Sequence, residues 1–280
     1  MAFDQAPALQ SQLHTHHVDL KDCSIFYTQG GLKSDSTPIL LLHGWGISAE
    51  PYHEILNLLA ERHFVLAPDL PSFGRSSYPN LIPDYDSYAR FVLSFLDALN
   101  LQQVHLVGHS LGGGIAITLS ALAPDRVKSL VLVDSTGNPS VSLLEAIPRR
   151  AFEMTAQLLL PKLELKLADI PRVFSYNVLF NTGNVIQALL LSLLVDLKHL
   201  LPSIQAPCLL LWSEKDLTTP LSAAQEMAAK IPGSRLTTVE EGWHEWGLWY
   251  PEKITSIMLA FTHEAERIDT ITADHSSAPV

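Results

Sequence analysis

Residues 103–123 read QVHLVGHSLGGGIAITLSALA and join a predicted strand to a predicted helix through a glycine-rich turn. The apolar run that ends at Val107 is typical of a buried strand, and the run that begins at Leu111 has the length of a helix. The pattern G-x-S-x-G therefore lies at a strand-to-helix turn, as GHSLG at residues 108–112. At so sharp a turn the serine adopts an unfavourable backbone conformation, and a Cβ at either glycine would meet neighbouring backbone.

Ser110 is the candidate nucleophile that this turn presents to solvent. The helix that begins at Leu111 places unpaired N–H groups and a positive dipole end beside the serine, which suits the stabilisation of an oxyanion. We expect the Leu111 N–H to be one donor. A second donor is predicted at the Trp45 N–H in HGWG, residues 43–46, where glycines let the backbone approach the reaction centre. Alternatively, His43 and Trp45 only pack the end of the preceding strand.

Short apolar runs recur along the chain and alternate with helix-length amphipathic stretches, which predicts parallel strands joined by crossover helices. An antiparallel hairpin is predicted ahead of them at residues 17–28, and a closing helix follows the last strand at 251–262. The predicted fold class is α/β, with a mostly parallel central sheet, helices on both faces and an inserted helical cap. The predicted strands cover residues 39–43, 63–67, 103–108, 126–134, 207–212 and 234–239.

The segment 137–203 has a different pattern, because strand-like runs give way to leucine-rich stretches interrupted by prolines. We interpret it as a helical cap inserted into the core domain. Its apolar density exceeds what one buried helix face needs, so the cap either lines a pocket over the site or buries itself as a helix pair on the core. The predicted division is 1–136 and 204–265 for the core, 137–203 for the cap and 266–280 for a polar, disordered tail.

A serine hydroxyl needs a base to accept its proton, and histidine is the side chain whose pKa suits that task near neutral pH. Of the twelve histidines, His244 is the first after the last predicted strand, in a loop at the carboxyl ends of the strands. The base needs a carboxylate that fixes its tautomer, and Asp216 follows a predicted strand in the loop SEKD. Glu214 and Asp134 compete for this role, and Asp134 is the more serious competitor because it ends a strand.

Composition narrows the classes of partner. The chain has 18 basic and 29 acidic residues, a formal net charge of -11 and no lysine- or arginine-rich run, which disfavours nucleic acid and anionic membranes. Cys23 and Cys208 lie far apart, so neither a disulfide framework nor a zinc site is indicated, and a reducing, cytoplasmic location is expected. No secretory signal is recognised at the start, and the longest apolar stretch, 188–195, is too short for stable membrane insertion.

The ordered motifs HGWG, PDLPSFGRSS, GHSLGG, WSEKD and GWHEW resemble those of the α/β-hydrolase superfamily, in its cap-bearing branch, over residues 17–263. The resemblance implies a nucleophile, acid and histidine in that chain order, here Ser110, Asp216 and His244. It also implies one oxyanion N–H from the loop after the first parallel strand and another from the residue after the nucleophile.

Two positions depart from the family's pattern. Ser72 stands where the D-x-x-G-x-G-x-S loop has its first glycine, and Ser213 replaces a glycine that is common before the acid. Neither position carries a catalytic group, but both can reshape the loops nearby. The residues expected to line the substrate pocket are His43, Gly44, His109 and Trp243.

The chemistry that these residues predict is acyl transfer, in which Ser110 attacks an acyl carbon and water activated by His244 hydrolyses the acyl-serine. We expect a carboxylic-ester hydrolase with an apolar small-molecule substrate, no metal or organic cofactor, and a monomeric or homodimeric state. A C–C bond hydrolase, a perhydrolase, an acyltransferase or a non-catalytic ligand-binding protein would keep the same residues. The C–C hydrolase would need a cation for its substrate carboxylate, for which Arg149, Arg150 and Arg172 are available in the cap.

Overall fold

A central sheet organises the computed structural model. The model describes residues 13–276, apart from 22, 32, 34, 35, 140 and 160–168. The strands are β1 (His14–Leu20), β2 (Cys23–Gly30), β3 (Ile39–Leu42), β4 (Val65–Pro68), β5 (Val104–His109), β6 (Val127–Val133), β7 (Cys208–Ser213) and β8 (Arg235–Val239). Within the described chain they form one eight-stranded sheet in the order β1-β2-β4-β3-β5-β6-β7-β8. The pairs of β2 with β1 and β4 are antiparallel, and the other pairs are parallel. The predicted fold class is confirmed.

Helices cover both faces of this sheet. They are α1 (His53–Ala60), α2 (Tyr85–Ala98), α3 (Leu111–Leu122), α4 (Leu143–Leu159), α5 (Asp169–Phe180), α6 (Thr182–Leu194), α7 (Leu221–Lys230), α8 (Trp246–Trp249) and α9 (Pro251–Ser276). Side chains of α2, α3 and α7 belong to the core on one face, and side chains of α1 and α9 belong to the core on the other. Because both faces are covered, the central strands β3, β5 and β7 are buried at every residue, which explains their continuous apolar runs.

The last helix is longer than the predicted segment 251–262. Where the sequence predicted a tail from residue 266, α9 continues to Ser276, and residues 277–280 lie outside the described part. Met258, Phe261 and Ala265 follow one another at helical spacing and are all buried. This apolar stripe keeps the helix on the sheet beyond the predicted end.

Between β6 and β7 the chain forms the inserted helices, α4–α6. The inner side of α6 joins the main core through Val185, Ala188 and Leu191. Its outer side presents a second apolar stripe, with Ile186 54 % and Leu194 51 % exposed. The insertion thus buries one face on the core, as the helix-pair alternative expected, and also leaves an apolar face in solvent.

Of the residues described, no single helix is long and apolar enough to cross a membrane, whereas α5 and α6, bent by 111°, meet that test only as a pair.

Candidate active site

Ser110 lies on the turn between β5 and α3, at the carboxyl edge of the sheet. Its φ of +53° is left-handed, a conformation that costs a serine roughly 1–3 kcal/mol. Backbone hydrogen bonds hold it there, because the Ser110 N–H donates to Val133 O (3.0 Å) and the Gly113 N–H donates to Ser110 O (2.8 Å). The hydroxyl of Thr136 donates to the same carbonyl at 3.0 Å. The surrounding structure therefore determines where the serine hydroxyl points.

The two glycines of the motif are required by close backbone contacts. A Cβ on Gly108 would lie 2.4 Å from Gly112 O, and a Cβ on Gly112 would lie 2.3 Å from Leu42 O. Neither carbonyl can move without disturbing the strand or helix that carries it. The turn therefore accepts no larger residue at either position.

We expect Gly112→Ala to lower the free energy of unfolding by about 3 kcal/mol or more, because the added methyl group overpacks backbone. Chemical denaturation measures the effect. Gly183→Ala is the control, because its Cβ would contact only the Leu81 side chain, at 3.1 Å, and alanine favours the helix by up to about 1 kcal/mol. Equal stability of the two variants would contradict the steric argument.

The structure brings Ser110, His244 and Asp216 into one hydrogen-bonded line. The Ser110 hydroxyl donates to His244 Nε2 at 2.8 Å, and His244 Nδ1 donates to Asp216 Oδ2 at 2.8 Å. The carboxylate can only accept, so the proton of the neutral imidazole is assigned to Nδ1 and Nε2 is the acceptor. All three side chains are buried, with residue exposures of 6 %, 1 % and 4 % in that order. This arrangement can move a proton from the serine to the imidazole.

The Asp216 carboxylate is oriented by its own loop. Oδ1 accepts the N–H groups of Thr218 and Thr219, each at 2.8 Å. Oδ2 accepts the Thr219 hydroxyl at 2.6 Å in addition to the imidazole. These donors leave the carboxylate little freedom to turn away from His244.

The electrostatics of His244 favour its protonated form. Burial lowers the pKa of His244, but the charge and hydrogen bond of Asp216 outweigh burial and raise the pKa above its ordinary value of 6.5. An imidazole that takes a proton from serine during attack becomes a cation. The Asp216 carboxylate is therefore placed to stabilise the state that a reaction would create.

The two competing carboxylates bond to other groups and not to the imidazole. Asp134 is fully buried, and its two oxygens accept the Ser213 N–H (2.9 Å) and the Trp246 indole N–H (2.6 Å). Burial and the neighbouring charge of Asp216 raise the pKa of Asp134 well above the ordinary range. Glu214 is exposed and accepts the Thr238 hydroxyl. Of the three candidates, Asp216 is the one that the structure places against His244.

The two predicted oxyanion donors lie in the segments that flank Ser110. Leu111 is the first residue of α3, so its N–H has no acceptor within the helix. A Cβ on Gly44 would lie 3.4 Å from the Cβ of Ser110, which shows that the loop of residues 43–46 passes beside the serine. The indole of Trp45 donates to Val185 O on α6 at 2.7 Å.

Two residues predicted to line the substrate pocket make hydrogen bonds to the interior of the protein. His43 is fully buried, its Nε2 accepts the Leu70 N–H (2.9 Å), and its Nδ1 donates to Gly44 O (2.8 Å). His109 is 6 % exposed, its Nδ1 accepts the Tyr52 hydroxyl (2.6 Å), and its Nε2 donates to His244 O (3.0 Å). Both nitrogens of each ring are used inside the protein, and a role for either ring in lining the substrate pocket stays a prediction. Burial lowers the pKa of His109 to about 4, which keeps this ring neutral.

The other two predicted pocket residues remain close to the site. Gly44 adjoins Ser110, and its N–H donates to the Tyr52 hydroxyl at 3.1 Å. Trp243 is half-buried, and its ring centroid lies 6.4 Å from that of Phe152 on α4. Their role in a substrate pocket stays a prediction.

The two departures from the family's pattern have structural consequences. Ser72 adopts a φ of +64°, so it keeps the left-handed backbone that a glycine would favour. Ser213 is buried and its hydroxyl donates to Gly242 O at 3.1 Å. This bond connects the loop that carries Asp216 to the loop that carries His244.

A buried ionic cluster beside His244 was not found from the sequence. It consists of Arg150 and Glu153 on α4 and Glu245, which follows His244. Arg150 donates to Glu245, and its Nη1 lies 3.9 Å from Glu153 Oε2. The signals available were the i,i+3 spacing of Arg150 and Glu153 on a predicted helix and the position of Glu245 next to the histidine.

This ionic cluster affects which cap arginine could bind a substrate carboxylate. Arg150 already faces two carboxylates, and Arg172 is exposed and donates to Glu50 at 2.5 Å. Arg149 is exposed as well.

Among the residues described, no group of three or more His, Cys, Asp or Glu is arranged to hold a metal ion.

Comparison with known proteins shows which proteins the chain is similar to. The model of the alpha/beta hydrolase fold family matches residues 37–157. The chain is 27 % identical over 266 residues to RutD of Azorhizobium caulinodans, described as a carbamate hydrolase, with 88 % of this chain and 97 % of that protein covered. It is 28 % identical over 237 residues to the dihydrolipoyllysine-residue acetyltransferase component of the acetoin cleaving system of Pseudomonas putida. That match covers 80 % of this chain but only 63 % of the length of the relative.

A solved structure agrees in both sequence and fold. The crystal structure of a membrane phospholipase A, a bacterial virulence factor, superposes with a TM-score of 0.79 and 28 % identity. The match covers 91 % of this chain and 87 % of that one. In this chain the serine lies on a strand-turn-helix segment of the eight-stranded sheet, as is typical of α/β-hydrolases. This segment lies within the residues that the family model matches. The chain therefore has the α/β-hydrolase fold, and its sequence is similar to those of α/β-hydrolases.

Proposed function

We propose that this chain is a serine hydrolase that cleaves a carboxylic ester, or a related acyl compound, through an acyl-serine intermediate. The observation that carries the proposal is the hydrogen-bonded line from Ser110 through His244 to Asp216. Both bonds are 2.8 Å long, which is within the reach required for proton transfer. The line lies at the carboxyl edge of the parallel strands, where open α/β sheets bind their ligands.

The proposed reaction has two halves. In the first, Ser110 Oγ attacks the acyl carbon while His244 Nε2 takes its proton, and the N–H groups of Leu111 and Trp45 stabilise the oxyanion. The imidazolium then protonates the leaving alcohol, and acyl-Ser110 remains. In the second half, His244 takes a proton from water, the water oxygen attacks the acyl carbon, and Ser110 recovers its proton as the acid leaves. Asp216 holds the imidazole in place and stabilises its charge throughout.

An uncharged, largely apolar substrate suits the surroundings of this line. The segment 173–195, which covers most of α5 and all of α6, contains no charged residue. Trp45 meets this segment through Phe174, with ring centroids 5.4 Å apart, and through its bond to Val185 O. Because Arg150 and Arg172 are paired with carboxylates of the protein, a substrate carboxylate would have to displace those partners. This disfavours Arg150 and Arg172 as the cation that a C–C bond hydrolase needs and leaves the exposed Arg149 as the remaining candidate.

A carbamate is the second substrate class to consider. RutD, described as a carbamate hydrolase, is matched over 97 % of its length. A carbamate ester presents the same kind of acyl carbon and a leaving alcohol, so the proposed steps apply to it with a carbamoyl-serine as the intermediate. Its cleavage would leave the roles of Ser110, His244 and Asp216 as stated.

A panel of p-nitrophenyl esters and a p-nitrophenyl carbamate tests the proposal, together with labelling by a fluorophosphonate probe. We expect steady turnover of at least one ester and covalent labelling, with the added mass on Ser110. Turnover of the carbamate alone would select the second class. If neither turnover nor labelling occurs, the chain is a ligand-binding member of the fold and the proposal fails.

A further inference from the structure

The backbone of His244 is held on both sides by buried side chains. Its N–H donates to Glu153 Oε1 at 2.9 Å, and its C=O accepts the Nε2–H of His109 at 3.0 Å. The two bonds fix the peptide groups that flank the Cα of His244. The direction in which its imidazole leaves the backbone is fixed with them.

Glu153 holds the loop that carries Asp216 as well. Its Oε2 accepts the Thr218 hydroxyl at 2.5 Å, and its Oε1 accepts the Leu217 N–H at 3.4 Å. One carboxylate therefore bonds to the residues that directly follow Asp216 and to His244 itself. The two loops come from different strand ends, and Glu153 joins them.

This carboxylate comes from the insertion and is completely shielded from solvent. Glu153 lies on α4 and is 0 % exposed. Burial raises the pKa of Glu153, and a buried carboxylate is costly unless its oxygens are satisfied. Three protein donors and the nearby Arg150 guanidinium, 3.9 Å away, compensate for that cost. Burying this carboxylate costs free energy that an apolar side chain would not cost, which indicates that Glu153 does more than fill space.

We propose that Glu153 is a positioning residue through which the inserted helix α4 aligns the acid and histidine loops for catalysis. The inference rests on the proposed hydrolase function. It makes the insertion part of the catalytic arrangement: when α4 is docked, Glu153 fixes His244 against Ser110 and Asp216. When α4 moves away, His244 loses the partner of its backbone N–H.

The test compares Glu153→Ala and Glu153→Gln with the same two substitutions of Glu145. Glu145 lies on the same helix and is exposed, so its variants control for charge and helix propensity. The measurements are kcat and KM on a short p-nitrophenyl ester, the pH dependence of kcat/KM, the rate of fluorophosphonate labelling and thermal unfolding. The NMR signal of the His244 Nδ1 proton reports the bond to Asp216 without requiring turnover.

We expect Glu153→Ala to lower kcat and the labelling rate by about 100-fold with little change in KM, because a misplaced base loses its alignment with the serine. The His244 Nδ1 signal should broaden or disappear. The Glu145 variants should behave as the wild type.

Glu153→Gln separates positioning from folding. Its amide oxygen can still accept the His244 N–H, and its NH2 can donate to the Thr218 hydroxyl, so most of kcat should be retained. The remaining charged groups near His244 are Asp216, Glu245 and Arg150. Because one anion is lost beside the imidazolium, the pKa of His244 falls, and the acidic limb of the pH profile should move to lower pH than in the wild type.

Two results would overturn the proposal. One is a folded Glu153→Ala variant whose kcat, labelling rate and His244 signal match those of Glu145→Ala. The other is a loss of activity in Glu153→Ala that merely follows its unfolded fraction, together with an unshifted pH profile in Glu153→Gln. If the wild type cleaves no ester, the proposed function fails, while the His244 Nδ1 signal still decides whether Glu153 aligns the loops.

Discussion

Replacing Ser110 by alanine is expected to lower kcat/KM for a cleaved ester by about 10⁶-fold, because no other group can form the acyl intermediate. The alanine keeps the Cβ and the left-handed φ of +53°, so the turn itself is unchanged. The variant loses one hydrogen bond to His244, which is worth about 1 kcal/mol. Activity should therefore disappear while the free energy of unfolding hardly changes.

Initial rates, fluorophosphonate labelling and chemical denaturation of Ser110→Ala check this expectation. Ser120→Ala is a matched control, because Ser120 is also buried on α3 and donates its hydroxyl to Ala116 O at 2.8 Å. We expect the control to keep its kcat and to be labelled. Substantial ester turnover by pure Ser110→Ala would exclude the acyl-serine mechanism.

Asp216→Asn is expected to lower kcat by about 10⁴-fold, although the shape of the side chain is retained. An asparagine can turn its NH2 toward His244, and the imidazole then carries its proton on Nε2 instead of Nδ1. A protonated Nε2 cannot accept the proton of Ser110. Steady-state kinetics of the purified variant measure the loss.

Asp134→Asn is the matched comparison for the acid. Both oxygens of Asp134 accept N–H groups, from Ser213 and from the Trp246 indole. An amide would place its NH2 against one of these donors, so we expect a loss of about 1–3 kcal/mol in the free energy of unfolding. Because its oxygens bond to Ser213 and Trp246 and not to the imidazole, kcat should stay within about tenfold of the wild type. If Asp134→Asn abolishes turnover and Asp216→Asn does not, the acid has been assigned wrongly.

Local hydrophobic patterns in the sequence predicted most of the strands of the described fold. The continuous apolar runs of β5 and β7 predicted buried parallel strands, and those strands are covered on both faces. The end of α9 was predicted too early, because polar residues outnumber apolar ones after residue 262. Met258, Phe261 and Ala265 nevertheless keep a buried stripe on the sheet.

The histidines show most clearly why the site was only partly predictable. His244 was selected by its place after the last strand, a feature of chain order that the topology of parallel sheets converts into proximity. His43 and His109 occupy motif positions as well, but their rings point into the protein and bond to Leu70 and Tyr52. Motif position alone does not distinguish a ring that faces a substrate from one that supports a loop.

Ser110 and its glycines were determined by the sequence itself, because a tight strand-to-helix turn is a local requirement and leaves a local pattern. The sequence favoured Asp216 over Asp134, although both follow strands, and only the tertiary structure gives the distance that places Asp216 against His244. Glu153 could be assigned only from that structure too. Its bond to His244 spans 91 positions, and contacts between segments so far apart depend on how helices dock, which no spacing in the chain records.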